Sequence, residues 1–591
     1  MTILASLNRA YERLAIHHQV PVFGYSNEKV SFVISLNPDG SMASAPRDLR
    51  DQSGKKPVPR FMYVPQPYKS ASGIKPKFLW DKTSYVLGVT AKEDKRSKAE
   101  HQAFTDFHME ALKNSGDEGL QALCAFLRQW TPERFQQADW PDDLKSAMLD
   151  QNIVFTLEND RLSEIYLHDH PAARQAWAKL LSEGDKTKAV CLVSGEKGSI
   201  ARLHPSIKGV WGGQSSGGSI VCFNEDAFKS YGHQKGDNAP ISEAATFAYT
   251  TALNKYLEKG SHNRIQIGDA STVFWADASN AKVAEEAEDV AASLFEVDTA
   301  VVARDEIKPI LENIRQGKPL TETAPELSEG VRFFVLGLAP NAARISIRYW
   351  FEDDFGTLVE NYQKFLADMR IEPSGRNDVS SLWHYLLELA VQRKSKNVPP
   401  HIAGEWMRSI LTGTAYPMAL LTNVLMRIRA DKEINTRRIA MLKAVLVRNF
   451  KSKEAPVALD PDNRNKGYLL GRLFAFYERI QSEALGDNLN ATVKDKFYSA
   501  ASAQPRKVFA LLDQGSARHL AKLRKQKPPG HKIYLEKQVA EIFALMSPAE
   551  DPYPTALSAG EQALFALGYY HQHSEFYKPK QPNETMKEPT P

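Results

Sequence analysis

The sequence contains only three cysteines, Cys124, Cys191 and Cys222, and they lie far apart along the chain. Because no two of them form a CxxC pair, we expect neither a cysteine-based zinc site nor a disulfide framework, and this usage is typical of a reducing compartment. No apolar run reaches about 18 residues, and the N-terminal segment lacks the apolar core and small-residue cleavage site of a signal peptide. We therefore expect a cytoplasmic protein that does not associate with membranes.

The chain also lacks a strong overall charge, because 75 Lys and Arg nearly balance 71 Asp and Glu. A net charge of +4 on 591 residues gives no general affinity for nucleic acid, so such a function must rest on local clusters. We find no internal repeat of about 20 to 50 residues, which argues against a solenoid. The length itself predicts more than one domain.

Helix and strand patterns are distributed unequally. Helical spacing over 3–16 and alternating strands such as RIQIGDASTVFWAD occur together before about Phe355, whereas later segments carry apolar residues at i, i+3 and i+4. We predict an α+β N-terminal domain with an irregular mixed or antiparallel sheet, followed by an all-α C-terminal helical bundle. The predicted bounds are 1–355 for the mixed domain, 356–455 for a helical linker segment, 456–577 for the C-terminal bundle and 578–591 for a disordered tail.

Three local predictions belong to the mixed domain. Residues 46–82, rich in Pro, Gly, Ser and Lys, are predicted to form a long loop, and residues 98–182 show helical patterns. The segments AVCLVSG, ARLHP and SIVCFN between 189 and 224 are predicted to be short strands. VRFFVLGLAPNAARISIRYWFEDDF predicts two strands joined at a Leu-Ala-Pro-Asn turn.

The glycine-rich segment within LHPSIKGVWGGQSSGGSIVCFN resembles two catalytic motifs. Gly212 and Gly217 have the spacing of a phosphate-binding loop, but Gly218 replaces its lysine and a strand-like segment follows, which argues against nucleotide hydrolysis. Gly213 to Gly217 also match the G-x-S-x-G motif of serine hydrolases, with Ser215 as the nucleophile. That motif requires a helix after the serine, so the hydrolase is retained only as an alternative.

The same segment is also consistent with a glycine-rich hairpin tip, or with close approach to duplex DNA. Small side chains let the backbone come near a groove, while the Gln214 amide and the hydroxyls of Ser215 and Ser216 can form hydrogen bonds with base edges. Lys208 could bind a phosphate. In HDHP, His168 and His170 could suggest a metal, but a polar turn is favoured because no further ligands follow.

Two regions concentrate positive charge. Residues 46–82 contain nine Lys or Arg and three Asp, interleaved with aromatic residues, and residues 494–532 contain ten Lys or Arg and two Asp. Arg518, Lys522 and Lys525 follow at i, i+4 and i+7, so they share one helix face that could bind phosphates. Solvated surfaces are the alternative in both regions.

Four segments of the chain are specific enough to indicate a family: SGIKPKFLWDKTSYVLG (72–88), the long segment from ARLHP to TTALN (201–254), GLAPNAARISIRYW (337–350) and YLLGRLFAFYERIQ (468–481). In this order they resemble the large subunit of the type I-C CRISPR Cascade complex. This resemblance implies a non-catalytic subunit of an RNA-guided antiviral surveillance complex, with no cofactor or metal. Such a subunit recognises the protospacer-adjacent motif in duplex DNA, assists strand opening, stabilises the R-loop and helps to recruit a helicase–nuclease.

The implied partners are the guide RNA (crRNA) ribonucleoprotein with its backbone, guide-end-binding and small subunits, target double-stranded DNA, and the helicase–nuclease. A purely structural assembly subunit is a further alternative. Charge and loop chemistry assign the candidate residues. Contact with motif DNA is assigned to Lys208, Gln214, Ser215 and Ser216. Contact with nucleic-acid backbone is assigned to Lys55, Lys56, Arg60, Lys69, Lys75 and Lys77. Binding of the displaced strand is assigned to Arg506, Lys507, Arg518, Lys522, Arg524, Lys525 and Lys527.

Overall fold

A computed structural model describes residues 2–51, 57–67, 73–91, 96–182, 187–295, 307–374, 382–486, 491–526 and 529–578. Its internal contacts divide the chain into two compact units. One contains residues 2–205 and 221–252, and the other contains residues 206–220 and 253–591. The predicted bounds at 355, 455 and 577 stay predictions, and residues 579–591 of the predicted tail lie outside the described part.

The unit formed by 2–205 and 221–252 combines short sheets with helices. Its strands are β1 (Tyr25–Val30), β2 (Phe32–Leu36), β3 (Arg47–Asp48), β4 (Arg60–Pro65), β5 (Trp80–Lys82), β6 (Asn152–Leu157), β7 (Lys188–Val190) and β8 (Lys197–Ser199). Its helices are α1 (Ile3–Ile16), α2 (Thr83–Val86), α3 (Arg96–Ala111), α4 (Glu118–Gln129), α5 (Glu133–Gln137), α6 (Asp142–Met148) and α7 (Pro171–Ser182). The next helix, α8 (Glu243–Tyr256), begins in this unit and ends in the other one.

The largest sheet of this unit has the strand order β3-β2-β6-β5. β2 and β6 are parallel and fully or nearly fully buried, which agrees with their continuous apolar sequences FVISL and NIVFTL. β1 and β4 form a separate antiparallel pair, as do β7 and β8. The sheet is therefore mixed, as the sequence predicts.

The other unit begins with an antiparallel sheet. The strands β9 (Arg264–Ile267), β10 (Ala270–Asp277), β11 (Arg332–Asn341) and β12 (Arg344–Asp354) are paired in sequence order. Helices α9 (Ala281–Leu294), α10 (Lys308–Arg315), α11 (Leu320–Thr323) and α12 (Pro325–Ser328) lie between β10 and β11 in the chain. The strands place Phe333, Val335 and Phe351 in the same buried apolar cluster as the helices that follow.

After Asp354 the described residues form helices without strands, which confirms the predicted α+β and then all-α fold class. These helices are α13 (Phe355–Met369), α14 (Leu382–Leu389), α15 (Pro400–Thr412), α16 (Met418–Asp431), α17 (Thr436–Phe450), α18 (Lys466–Leu485), α19 (Val493–Ala503), α20 (Phe509–Gln526), α21 (Pro529–Ala544) and α22 (Ala559–Glu575). α18 packs so closely on α22 that a Cβ at Gly471 would lie 2.1 Å from Phe565 O. In the described residues, no helix is sufficiently long and apolar to cross a membrane.

Some local predictions are wrong. Residues 46–82 are not a continuous loop, since β3, β4 and β5 lie there, and β6 interrupts the predicted helical region. Pro and Lys residues interrupt the strand pattern in the sequence, so the short strands are not recognised there. In the structure Val64 of β4 and Trp80 of β5 are buried. ARLHP and SIVCFN are not strands, because the chain near them forms only isolated bridges, at Ile200, Ile207, Gly218 and Ser219, within the described residues.

The predicted β11–β12 hairpin is confirmed, but its turn lies later than expected. The strand continues through Pro340 to Asn341, and the chain reverses at Ala342 and Ala343, where Ala342 has φ +52°. Opposite Pro340, Ile345 donates its N–H to Ser219 O at 3.0 Å. The hairpin end thus also holds the glycine-rich segment.

Candidate nucleic-acid interface

The glycine-rich segment folds into a closed loop, here called the glycine loop (residues 207–218). Ile207 and Gly218 close it through two backbone hydrogen bonds, of 2.8 and 2.9 Å. Within the loop, Gly213 N–H donates to Val210 O at 3.0 Å and Gly217 N–H donates to Gln214 O at 2.9 Å. The loop therefore consists of two successive tight turns, 210–213 and 214–217.

Distant parts of the same compact unit hold the glycine loop in place. Lys208 N–H donates to Asn254 Oδ1 at 2.7 Å, and Asn254 Nδ2 donates to Ser206 O at 3.1 Å. Trp211 N–H donates to Ser271 Oγ at 2.8 Å. Next to the loop, Ser219 lies beside Arg344 at the end of the β11–β12 hairpin. Because these contacts fix the backbone, the loop is a preorganised surface.

The predicted DNA-contact residues lie together on the solvent side of this loop. Gln214, Ser215 and Ser216 are all exposed, and Ser216 Oγ donates to Gln214 Oε1 at 3.4 Å. Lys208 is also exposed, and in the described part of the chain it has no ion-pair partner. One loop thus presents an amide, two hydroxyls and a free ammonium group to solvent, which are groups that can bind base edges and phosphate.

The structure gives Ser215 a different setting from that of a hydrolase nucleophile. Ser215 occupies a corner of the 214–217 turn, and a bridge at Gly218 follows instead of a helix. Among the described residues, no histidine or carboxylate forms a hydrogen bond with its hydroxyl. These residues therefore do not form the strand–turn–helix geometry of a nucleophile elbow.

Sequence reasoning missed Trp211, which is 65% exposed in the glycine loop. The available signal was a single tryptophan surrounded by Gly, Val, Gln and Ser, with no helical or alternating apolar pattern to bury it. It also missed Asn254 and Ser271, which position the loop. No local signal could have found them, because they act from 46 and 60 residues away.

The basic segment 46–82 is only partly available for binding. Arg60 donates to Glu164 Oε2 from both terminal nitrogens at 3.1 Å. Lys77 Nζ lies 3.1 Å from Asp81 Oδ1 and 3.9 Å from the centre of the Trp80 ring. Lys75 is exposed and lacks an ion pair in the described residues. Lys55, Lys56 and Lys69 lie outside the described residues.

Lys75 and Lys77 also line a polar cavity of about 360 Å³. Its other walls include Asp81, Glu100 and Asp150. Burial raises the pKa of Asp81, against the opposing effect of Lys77. Since the acids offset the lysines, the cavity is not a strongly positive site.

Helix α20 carries the clearest unpaired charge. Arg518, Lys522 and Lys525 are exposed on one face, opposite the buried Leu512, Leu520 and Leu523. Arg524 is exposed as well but lies about 120° round the helix from Arg518. None of these four cations has an ion-pair partner in the part of the chain that the structure describes.

The one acid in the α20 sequence, Asp513, is turned away from that face. It accepts hydrogen bonds from Tyr477 and Tyr553. By contrast, Lys532 and Lys537 on α21 are paired with Glu536 and Glu541. Burial and then the Lys522 ammonium lower the pKa of His519. The exposed face of α20 is thus a cationic stripe (Arg518, Lys522 and Lys525).

The remaining predicted displaced-strand residues differ from the stripe. Arg506 lies in a short turn, Pro505–Lys507, where its side chain binds Asp551 Oδ2 at 2.5 Å and Tyr553 O at 3.3 Å. Lys507 is exposed and has no ion pair among the described residues. Lys527 lies outside the described residues. The structure therefore places three of the predicted cations on one helix face, whereas it pairs Arg506 with an acid.

The HDHP segment begins in a short helical turn, Leu167–Asp169, before α7. His168 is buried, and burial lowers its pKa to about 4. His170 Nδ1 lies 3.0 Å from Asp117 Oδ2, and its Nε2 lies 3.3 Å from Asp160 Oδ2. No group of three or more side chains of metal-ligating type is found among the described residues.

A comparison with protein families adds a finding that covers both compact units. The family model described as CRISPR-associated protein (Cas_Csd1) matches residues 7–577. The comparison with curated proteins finds no match. The matched range includes the glycine loop and the cationic stripe.

Proposed function

This chain belongs to the CRISPR-associated Cas_Csd1 family, and on that premise we propose that it is the large subunit of a type I-C RNA-guided surveillance complex. In this role it recognises the protospacer-adjacent motif in duplex DNA, assists strand opening and stabilises the R-loop. It performs no chemistry itself and helps to recruit a helicase–nuclease. The observation that carries the proposal is the family match over residues 7–577.

The geometry of the glycine loop supports the proposed contact with the motif. Its exposed amide and hydroxyl groups can form hydrogen bonds with base edges, while Lys208 can bind a nearby phosphate. The fixed backbone reduces the entropy lost on binding. We therefore assign base contact to Gln214, with Ser215 and Ser216 beside it.

The cationic stripe supports the proposed contact with the displaced strand. Lys and Arg side chains without acidic partners can neutralise phosphates and release counterions, and such contacts do not depend on sequence. A strand displaced by guide pairing requires this kind of binding. Lys75 and the neighbouring basic segment would contact the backbone of the incoming duplex or the guide end.

Replacing Gln214 with Ala tests the assignment. In the assembled complex, Gln214→Ala should weaken binding to motif-bearing duplex by about 1–3 kcal/mol, because one base-edge contact is lost. Binding to the same duplex with a scrambled motif should change little. Affinities of both duplexes are measured at one fixed salt concentration, since phosphate contacts make affinity salt-dependent.

Gln316→Ala is the matched control, because Gln316 is an exposed glutamine at the end of α10. It should leave both affinities unchanged. Equal losses on motif-bearing and scrambled DNA with Gln214→Ala would contradict base recognition by Gln214. A wild-type complex that shows no preference for the motif would instead favour a purely structural assembly subunit.

A further inference from the structure

Trp211 is exposed to solvent, unlike other tryptophans of the chain. Its side chain is 65% exposed, whereas Trp80, Trp177, Trp275 and Trp406 are almost completely buried. A tryptophan side chain provides about 150–250 Å² of surface whose burial is favourable. A single exposed aromatic group is common on protein surfaces, so the case for a partner rests on how Trp211 is held and on what lies beside it.

The main chain of Trp211 is held on both sides. Its N–H donates to Ser271 Oγ at 2.8 Å, and Ser271 is fully buried in β10. The hydrogen bond between Gly213 N–H and Val210 O, at 3.0 Å, closes the turn that contains Trp211. The ring is therefore presented from a fixed position, which lowers the entropy lost when a partner binds.

The surroundings of Trp211 indicate the class of partner. Residues 207–219 contain no acid, and their one charged residue is Lys208, which has no ion-pair partner among the residues that the structure describes. A protein-docking surface would need several exposed apolar groups around the ring. Along the chain the neighbours of Trp211 are Gly212 and the half-buried Val210, and Pro340, which lies against Gly212, is half-buried as well. A flat ring on the same loop as a lysine and small polar groups suits a nucleobase and its phosphate.

We propose that Trp211 stacks on a nucleobase that becomes unpaired beside the motif when the target duplex opens. This inference rests on the proposed function, because it requires target DNA on the glycine loop. Trp211 precedes Gln214 by three residues, so their main chains are at most about 11 Å apart. That distance corresponds to about three base-pair steps, so the stacked base lies close to the base that Gln214 contacts.

Fluorescence of 2-aminopurine tests the stacking directly. The base analogue is placed in the first target positions beside the motif, and complexes contain the wild-type chain, Trp211→Leu or Trp211→Phe. 2-Aminopurine is bright when unstacked and quenched when stacked. We expect quenching with the wild type and with Trp211→Phe, and a brighter signal with Trp211→Leu. Trp211→Leu should also weaken binding to closed duplex by about 5- to 150-fold, the range of one base stack.

Tyr231→Leu is the control, because Tyr231 is 99% exposed on a different segment and should not affect the signal. Unchanged quenching and affinity in the Trp211→Leu complex would overturn the inference. The proposed function would still stand in that case if the wild-type complex prefers the motif. Failure of Trp211→Leu to assemble into the complex would overturn it in favour of a protein contact. A wild-type complex without motif preference would overturn both.

Discussion

Gly212 and Gly217 explain why the glycine loop resembles a phosphate-binding loop. They have φ values of +74° and +85°, a region that glycine adopts readily. A Cβ at Gly217 would lie 2.6 Å from Ile207 O, and one at Gly209 would lie 2.6 Å from Leu257 O. The glycine spacing that resembles a phosphate-binding loop therefore follows from turn geometry and close backbone contact.

His108 is a second residue whose role depends on local geometry. It is fully buried, its Nε2 accepts the Leu79 N–H at 2.8 Å, and its Nδ1–H donates to Phe104 O at 2.8 Å. Leu79 has φ +64°, a conformation that is unfavourable for leucine. Only a neutral imidazole can make both hydrogen bonds, since the imidazolium has no acceptor.

Burial lowers the pKa of His108 to about 4, below the value of about 6.5 expected in the unfolded chain. The unfolded state therefore binds a proton first, so the stabilisation is complete above pH 6.5 and is lost as the pH falls towards 4. His108→Gln should remove up to about 3 kcal/mol of that pH dependence. Chemical unfolding of wild type and variant at several pH values between 4.5 and 7 measures it.

Substitution of the exposed His17 by Gln provides the control for replacing a histidine at the surface. His108→Gln should also lower stability at pH 7, because buried hydrogen bonds are altered. Parallel pH profiles for the wild type and His108→Gln would show that His108 does not contribute the expected acid sensitivity.

Helix α20 shows how a charged helix face becomes available for binding. Its cations lack acidic partners in the described residues, whereas α21 pairs its lysines at i and i+4. Lys525 also lies in the last turn of α20, where a positive charge stabilises the helix dipole by about 0.3–1 kcal/mol. Stability and binding must therefore be measured separately.

Lys522→Gln/Lys525→Gln should weaken binding of the complex to all targets, whether or not the motif is present. The slope of log affinity against log salt should fall by about 0.7 for each lost contact with a single strand. Titrations of target DNA at several salt concentrations measure the slope. The thermal stability of the variant shows the separate contribution of the helix dipole.

The matched control is Lys532→Gln/Lys537→Gln, which removes the same charge from the paired lysines of α21. It should change the salt slope much less. Identical slopes for the two double variants would contradict a specific role of the cationic stripe in phosphate binding.

At the scale of elements, the sequence predicts those with clear periodicity. Helical spacing predicts α1 at 3–16 and the later helices, and it places Arg518, Lys522 and Lys525 on one face. It misses β3, β4 and β5, because Pro and Lys interrupt their patterns, and β6, whose apolar run is not periodic. It assigns strands at 201–205 and 219–224, where the described chain forms no strand and only Ser219 takes part in an isolated bridge.

The order of elements along the chain does not give the organisation of the whole molecule. Residues 206–220 belong with 253–591, although the adjoining residues on both sides belong to the other unit. The hydrogen bonds of the glycine loop to Asn254 and Ser271 and the bridge from Ser219 to Arg344 produce this arrangement. Such contacts are distant in sequence, so local patterns cannot predict them.

The candidate site shows the same limit. Composition and helical spacing found the exposed polar residues of the loop and the cationic stripe. They could not show that Glu164 binds Arg60 or that Asp551 binds Arg506, because these ion pairs depend on folding. Sequence reasoning also misses Trp211, although no apolar pattern surrounds this residue.

The central claim is that one chain contacts both the motif duplex and the displaced strand. Crosslinking of the assembled complex on a target duplex, with the linked residues mapped by mass spectrometry, tests it most directly. We predict crosslinks from the duplex beside the motif to residues 207–219 and from the displaced strand to residues 518–525. Crosslinks of this chain to RNA and protein partners alone, with DNA linked to neither segment, would contradict the claim.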